Sequence, residues 1–311
     1  MTTFHASRGR RRLVTLAALG LAVTGCANQE EPPRKTGAKL EITRDPAFYE
    51  GREIVLPLDA YAFTEAQRDD FTDAVHALSG ACMKEYGLSW PKVAGQKSPV
   101  TGNSRRYGVI DLPRAEKFGY GVPLPDGMTH EEAQKVGRAN IDRTRKLPQK
   151  TRDVYTGENV KQFGGLPVPQ GGCRGRAYKA LGAPPQGMDS MALDTLRYES
   201  WDQARNSRIV LDAVARWSTC MSKAGYAYKT PEEAVADTAW RREGTAPTAA
   251  EITAATTDIR CKRDVMLVEK WHSVEVENQK RLVRAKAKLL GDLERRRDAL
   301  VARVARAGSG T

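Results

Sequence analysis

The sequence predicts a mainly α-helical protein with long loops rich in proline and glycine and at most a few short strands. It also predicts two helical units, each closed by a disulfide, and a long C-terminal helix. Three observations support this fold class. Apolar residues recur at helical spacing behind N-terminal capping signals. Proline and glycine concentrate in residues 90–127 and 147–187, which favours irregular backbone. Four cysteines follow Cys26, an even number that suits two disulfides.

The first predicted helix starts at a capping box, in which Thr64 is followed three residues later by Gln67. Its apolar positions recur at helical spacing: Phe71, Val75, Leu78 and Cys82. Gly87 is the expected stop. This spacing places Cys82 on the buried face of the helix.

The second predicted helix, residues 208–224, has the same design. Its apolar stripe consists of Val210, Val214, Trp217 and Met221. Cys220 lies beside this stripe, and Gly225 is the expected C-terminal stop. Capping boxes at Thr230 and Thr248 then predict a short helix through Trp240 and a long one from residue 249 to about residue 307.

The long C-terminal helix is amphipathic and contains no proline. Its length suggests a coiled-coil pairing or a projecting arm. The apolar stripe is less regular before Leu282, so a break is expected near residues 272–280. Short strands are expected at residues 53–58 and 107–111, at the edges of otherwise irregular segments.

The N-terminus has the three parts of an export signal in order. Arg8, Arg10, Arg11 and Arg12 precede an apolar run over residues 13–23, and Cys26 follows Gly25. The run is too short to span ~30 Å of hydrocarbon as a helix. An ordinary secretory signal followed by a free cysteine is the alternative. Residues 9–14 also resemble a twin-arginine export motif, although arginine-rich signals occur on the general secretion route as well.

The segment Val23-Thr24-Gly25-Cys26 resembles the lipobox of bacterial lipoprotein signal peptides. The resemblance implies that residues 1–25 are removed and that Cys26 becomes an acylated N-terminus on the extracytoplasmic face of the cell membrane. Several acyl chains anchor a protein durably, whereas one chain is marginal. Residues 26–50 then form the lipidated N-terminus and tether. They precede a first cysteine unit at 51–187 and a second at 188–311.

The remaining cysteines are Cys82, Cys173, Cys220 and Cys261. Three connectivities are open to them. The context of Cys82 resembles that of Cys220, because each is followed by Met, a turn of helix, Gly and an aromatic residue. This degenerate repeat favours the pairs Cys82–Cys173 and Cys220–Cys261. No Cys-x-x-Cys pair or nearby histidine suggests a redox or metal role.

Positive charge concentrates in one part of the chain. The net charge is +12, and the four arginines of the removed segment leave +8. Residues 260–306 hold 14 Lys or Arg against 7 Asp or Glu. A candidate anion-binding set on the C-terminal helix consists of Arg295, Arg296, Arg297, Arg303 and Arg306. The alternative is an ordinary solvated helix face.

Catalytic signals are weak. His76, His130 and His272 are isolated from one another and from the cysteines, and we interpret them as helix-surface residues. Adjacent acids such as Asp69 and Asp70 point in different directions on a helix. No metal site and no cofactor are expected. The glycine pairs at 164–165 and 171–172 lack the sequence of a phosphate-binding loop.

The mature chain also resembles uncharacterised secreted lipoproteins of high-GC Gram-positive (actinobacterial) bacteria, a resemblance that implies a location but no activity. We therefore expect a non-enzymatic envelope lipoprotein that binds an anionic wall polymer or another envelope protein, and no nucleic acid. One alternative is a wall-acting enzyme with carboxylates from loops 107–127 and 166–172. Another is a disulfide-stapled sensor or chaperone-like accessory of a membrane complex.

Overall fold

The computed structural model describes residues 40–92, 102–124, 128–184, 190–240 and 246–309. The predicted signal peptide, Cys26 and the tether as far as residue 39 lie outside these residues. From Leu40 to Thr311 the chain forms one compact unit. Both cysteine units, residues 51–187 and 188–311, contribute side chains to its main core.

The described residues are mainly helical, as predicted. The helices are α1 (Glu65–Glu85), α2 (Leu112–Phe118), α3 (His130–Arg145), α4 (Gln149–Thr156), α5 (Gly172–Leu181), α6 (Met191–Arg205), α7 (Arg208–Lys223), α8 (Pro231–Ala236), α9 (Ala249–Asp264), α10 (Leu267–Ala285) and α11 (Ala287–Ser309). Strands β1 (Gln162–Phe163) and β2 (Leu166–Pro167) form an antiparallel pair. Short 3₁₀ helices occur at Pro46–Tyr49, Pro57–Tyr61 and Thr238–Trp240.

The predicted capping signals begin helices in the structure. At the start of α1, the Thr64 hydroxyl accepts a hydrogen bond from the Gln67 amide at 3.2 Å, and the Gln67 side chain accepts one from the Thr64 amide at 3.0 Å. Thr230 and Thr248 cap α8 and α9 through the hydroxyl alone, which accepts from the amides of Glu233 and Glu251. These bonds satisfy amides that have no partner within the helix.

The prediction of strands at residues 53–58 and 107–111 is wrong, because neither segment forms a strand. In these segments, side chains form hydrogen bonds with backbone carbonyls and amides that would pair with a neighbouring strand in a sheet. The Ile54 carbonyl accepts from the Asn103 side chain at 3.1 Å, and the Leu56 amide donates to Asp59 at 2.8 Å. The Val109 carbonyl accepts from the Lys262 ammonium at 2.9 Å. Local and long-range polar contacts therefore hold these segments outside any sheet.

Of the loop predicted at residues 147–187, the described part, residues 147–184, contains regular secondary structure. These residues contain α4, the β1–β2 hairpin and α5. Gly157 has a positive φ of 74°, and a Cβ there would lie 2.3 Å from the Gly172 amide nitrogen. The glycines at this point permit two backbone segments to pack closely, which a sequence pattern does not distinguish from a loop.

The chain has the predicted long C-terminal helix in α11 (Ala287–Ser309), but the helix predicted to run from residue 249 to about residue 307 is divided into three. The breaks fall at Val265–Met266 and at Lys286, and not within residues 272–280, which lie inside α10. Met266 adopts the left-handed conformation, with φ 55° and ψ 43°. The prediction of a projecting arm is also wrong, because α10 packs against α6 and α7 while α11 packs against α1 and α5.

The core is divided into clusters. The largest one joins α7, α9 and α10 to the segments around Tyr49 and Tyr107, with Trp217 fully buried at 0% exposure. Helix α11 contributes to two smaller clusters. Leu300 and Val304 pack with α1 and α5, whereas Leu290 packs with α6 and the 3₁₀ helix Pro57–Tyr61. Helix α11 is therefore a core element of the fold.

The two disulfides pair as the repeat favours. Cys82 on α1 is bonded to Cys173 on α5, with 5.5 Å between Cα atoms. Cys220 on α7 is bonded to Cys261 on α9, with a Cα separation of 5.7 Å. Each joins a helix of one repeat to a helix downstream.

The two repeats also end their cysteine helices identically. After α1, the Leu88 amide donates to the Met83 carbonyl at 3.0 Å; after α7, the Tyr226 amide donates to the Met221 carbonyl at 2.9 Å. The glycine before each donor has a positive φ, which this helix ending requires. Both methionines are fully buried.

Candidate functional site

Four buried acids lie on α9 and α10: Glu251, Asp258, Glu269 and Glu275. Each is hydrogen-bonded, mostly to the N-terminal half of the chain. Glu269 accepts from the Tyr49 hydroxyl at 2.8 Å, and Glu251 accepts from the Tyr120 amide at 3.1 Å. No motif in the sequence marks these acids as buried. The N-terminal partners of Glu251, Glu269 and Glu275 lie more than 130 residues away in the chain, so no local pattern identifies these three acids.

The most connected of these acids is Glu275. It pairs with the Arg106 guanidinium, and it accepts from the Tyr107 hydroxyl at 3.0 Å and from the Gln279 side chain at 3.0 Å. Burial, followed by the nearby Glu275 carboxylate, raises the pKa of Tyr107 well above 10.0. Tyr107 therefore remains a hydrogen-bond donor throughout the physiological pH range.

Asp258 and Lys262 form an ion pair at 2.9 Å in which both side chains are fully buried. The indole of Trp217 donates to Asp258 at 2.8 Å. Burial raises the pKa of Asp258, and Lys262 opposes this shift. The pair is closed from solvent, so we assign it to the core and not to a site for a ligand.

The histidines are less exposed than predicted. His76, His130 and His272 are all half-buried. His272 lies 5.1 Å from the Phe48 ring between centroids, and its ring contacts the Val55 carbonyl at 3.4 Å. It therefore helps to pack the N-terminal segment onto α10, which corrects the interpretation of it as a surface residue.

His272 predicts a loss of stability in mild acid. Burial lowers its pKa below the ordinary 6.5, although the hydrogen bond with Val55 partly opposes this. The unfolded chain then binds more protons than the folded chain, so stability is full above about pH 6.5 and falls as pH drops through the lower folded pKa. We expect His272→Gln to reduce the loss of unfolding free energy between pH 7.5 and pH 5.5, measured by urea denaturation. An unchanged loss would contradict this role, and His130→Gln is the control.

A large groove lies beside α11, with a volume of about 1610 Å³. Its lining comes from α5, the start of α6, α11 and the segment at residues 61–63. Positive charge dominates this lining, since nine basic residues face two acids, Asp194 and Asp292. The basic residues are Arg68, Arg174, Arg176, Lys179, Arg197, Arg295, Arg296, Arg297 and Arg303.

The structure separates the five arginines predicted to bind anions. Arg297 donates to the Ala60 carbonyl and is largely buried, whereas Arg303 donates to the carbonyls of Leu181 and Gly182. Both hold α11 against its neighbours. Arg295 pairs with Asp292, and Arg306 is not part of the groove lining. Arg296 is exposed and makes no ion pair with any residue that the structure describes.

Helix α5 supplies cations that were not in the predicted anion-binding set. Arg174 and Lys179 are exposed and, within the described residues, form no ion pair. Arg176 pairs with Glu85 at 2.6 Å. The cluster of basic residues at 174–179 was visible in the sequence, but its position opposite α11 depends on tertiary packing. Three cations from two helices are therefore available to a ligand in the groove.

The lining of the groove also contains apolar side chains. Met191 is 83% exposed and Leu289 is 38% exposed, and both line it. Phe63, Tyr178 and Leu293 contribute further apolar surface. The groove thus combines exposed cations with exposed apolar side chains.

The enzyme alternative requires carboxylates from two loops. The segment 166–172 contains no Asp or Glu. In the other loop, Asp111 caps α2 through its carboxylate and pairs with Arg114 at 3.1 Å. The loop at residues 166–172 therefore supplies no acid to such a pair.

Comparison of the chain with protein-family models, with curated proteins and with solved structures finds no match. Among the described residues, no helix is long and apolar enough to cross a membrane. The same residues contain no group of three or more His, Cys, Asp or Glu that could hold a metal ion.

Proposed function

We propose that this chain is a lipid-anchored, extracytoplasmic protein of the cell envelope, and that it is a non-enzymatic binding or accessory protein whose groove beside α11 holds an anionic partner. The observation that carries the proposal is the set of available cations. Arg174 and Lys179 on α5 and Arg296 on α11 line one groove and form no ion pair with described residues. Basic side chains gathered in a concave surface concentrate anions there.

The anchor rests on the lipobox-like segment that ends at Cys26. An anchored protein meets anionic lipid headgroups and, in thick-walled bacteria, anionic wall polymers. The mature chain carries a net charge of +8 once the four arginines of the removed segment are subtracted from +12. This excess favours association with such partners through screened, long-range attraction.

Point substitutions test this proposal better than truncation. Deleting α11 would remove Leu290, Leu300 and Val304, which are buried in two core clusters. The resulting loss of binding would not be distinguishable from unfolding. The three available cations are exposed, so replacing them with glutamine leaves the core intact.

We expect the triple variant Arg174→Gln, Lys179→Gln, Arg296→Gln to bind isolated cell wall and polyphosphate about three- to a hundredfold more weakly than the unsubstituted chain, because each exposed charge contact contributes roughly 0.2–1 kcal/mol. The measurement is salt-dependent retention at 50 and 300 mM NaCl, with the Cys26→Ser background keeping the protein soluble. If the triple variant is retained on cell wall and on polyphosphate as strongly as the unsubstituted chain is, the proposal is wrong.

The matched control carries the same change in net charge outside the groove. Lys150, Lys223 and Lys229 are exposed and do not line it. Their triple replacement with glutamine should reduce retention only slightly. If it reduces retention as much as the groove variant does, binding depends on net charge and the groove has no specific role.

A further inference from the structure

We infer that the occupant of the groove is a single-chain anionic lipid, with its acyl chain on the apolar lining and its headgroup held by the available cations. This rests on the proposed function, because it names the anionic partner. A purely polar polymer would use the cations but would leave the hydrocarbon surface of the groove without a role.

The apolar lining is the first argument. Met191 is the most exposed large hydrophobic residue of the described chain at 83%, and it lies in the same groove as Leu289 and Leu293. Burying a methylene group contributes about fourfold in affinity. An acyl chain in this groove would cover the side chains that solvent now contacts.

The shape of the groove is the second argument. Its volume of about 1610 Å³ exceeds the roughly 300–1,000 Å³ of pockets for compact ligands. Its lining includes Gln170 and Arg174 near the start of α5 and Leu289 at the start of α11. A long, flexible ligand suits such a volume better than a compact one does.

The position of the charges is the third argument. Cations line the groove from α5 and from α11, whereas only Asp194 and Asp292 oppose them, and Asp292 already pairs with Arg295 and Lys288. A zwitterionic headgroup would bring a positive charge among these cations. The charge balance therefore selects an anionic headgroup such as a phosphate monoester.

The test compares three probes by calorimetric titration of the Cys26→Ser protein, below the micelle concentration of each lipid. They are 1-oleoyl lysophosphatidic acid, 1-oleoyl lysophosphatidylcholine and glycerol 3-phosphate. We expect the first to bind at least tenfold more tightly than either of the others. The cation variant Arg174→Gln, Lys179→Gln, Arg296→Gln should weaken its binding at least tenfold.

The apolar contribution is tested by Met191→Ser, Leu289→Ser, which should weaken lysophosphatidic acid binding at least fivefold. Ile141→Ser, Leu211→Ser is the matched control, because these residues are 61% and 51% exposed and do not line the groove. The control should bind as the unsubstituted chain does. Urea denaturation of both variants checks that the fold is retained.

The outcomes separate the two proposals. If Met191→Ser, Leu289→Ser binds lysophosphatidic acid normally, or if glycerol 3-phosphate binds as tightly, the lipid inference fails while the anion-binding groove stands. If polyphosphate, cell wall and lysophosphatidic acid all bind the cation variant normally, both proposals fail.

Discussion

Replacing Cys82 and Cys173 together with alanine should lower the free energy of unfolding by about 4–5 kcal/mol, because the bond restricts a long loop of the unfolded chain. The bridge spans 91 residues of sequence and joins α1 to α5. Val154 and Met83 pack around it at 0% exposure, so local packing should also loosen. The measurement is urea denaturation of the oxidised proteins, with free thiols counted to verify the bridges.

The second bridge provides the matched comparison. Cys220–Cys261 closes only 41 residues, for which the same chain-entropy argument gives about 4 kcal/mol. Its removal should therefore be slightly less destabilising. A loss below 1 kcal/mol for the Cys82–Cys173 variant would contradict the stabilising role assigned to that bridge. Because α5 lines the basic groove, the Cys82→Ala, Cys173→Ala variant should also bind polyphosphate more weakly.

Replacing Glu275 with alanine should destabilise the protein by about 3–5 kcal/mol, because removal of one partner leaves the buried Arg106 charge without its counterion. Glu275 is fully buried, while the Arg106 side chain retains only 15% exposure. Tyr107, Ser200 and Gln279 would also lose an acceptor. Urea denaturation at pH 7.5 gives the change in unfolding free energy.

Glu277 is the control on the same helix. Its side chain is 42% exposed and pairs with Lys280 at 2.8 Å, so Glu277→Ala should cost less than about 1 kcal/mol. The double variant Glu275→Leu, Arg106→Met should be more stable than Glu275→Ala, since it removes both charges together. Equal effects of Glu275→Ala and Glu277→Ala would show that the buried network does not stabilise the fold.

The sequence predicted helices correctly where a capping signal or a regular apolar stripe marked them. The capping box at Thr64 and the apolar stripe behind it begin α1, and the stripe at Val210, Trp217 and Met221 is the buried face of α7. Helix α6 was not predicted. Its buried positions include Ser200 and Ala204, which are weak apolar signals. Ser200 faces inward because Glu275 and Gln279 hydrogen-bond to it across the core.

The C-terminal helices also show that local sequence signals do not fix where a helix breaks. The sequence pattern predicts helix throughout 249–307, and helix forms over most of that range. The breaks at Met266 and Lys286 have no proline or glycine to mark them. They arise because α10 must bury Glu269 and Glu275 against the N-terminal segments while α11 packs on α1 and α5. Packing overrides local propensity at these points.

The sequence by itself determined the helical class, the caps of α1, α8 and α9 and the concentration of positive charge near the C-terminus, and its repeat favoured the disulfide pairing that the structure contains. These features depend on residues close together in the chain or on composition. Only the tertiary structure decided which arginines are available. It buries Arg297 and engages Arg303 with α5 carbonyls, while it brings Arg174 and Lys179 into the groove of Arg296. Hydrogen-bond partners and burial are set by segments more than a hundred residues apart, and no local pattern encodes them.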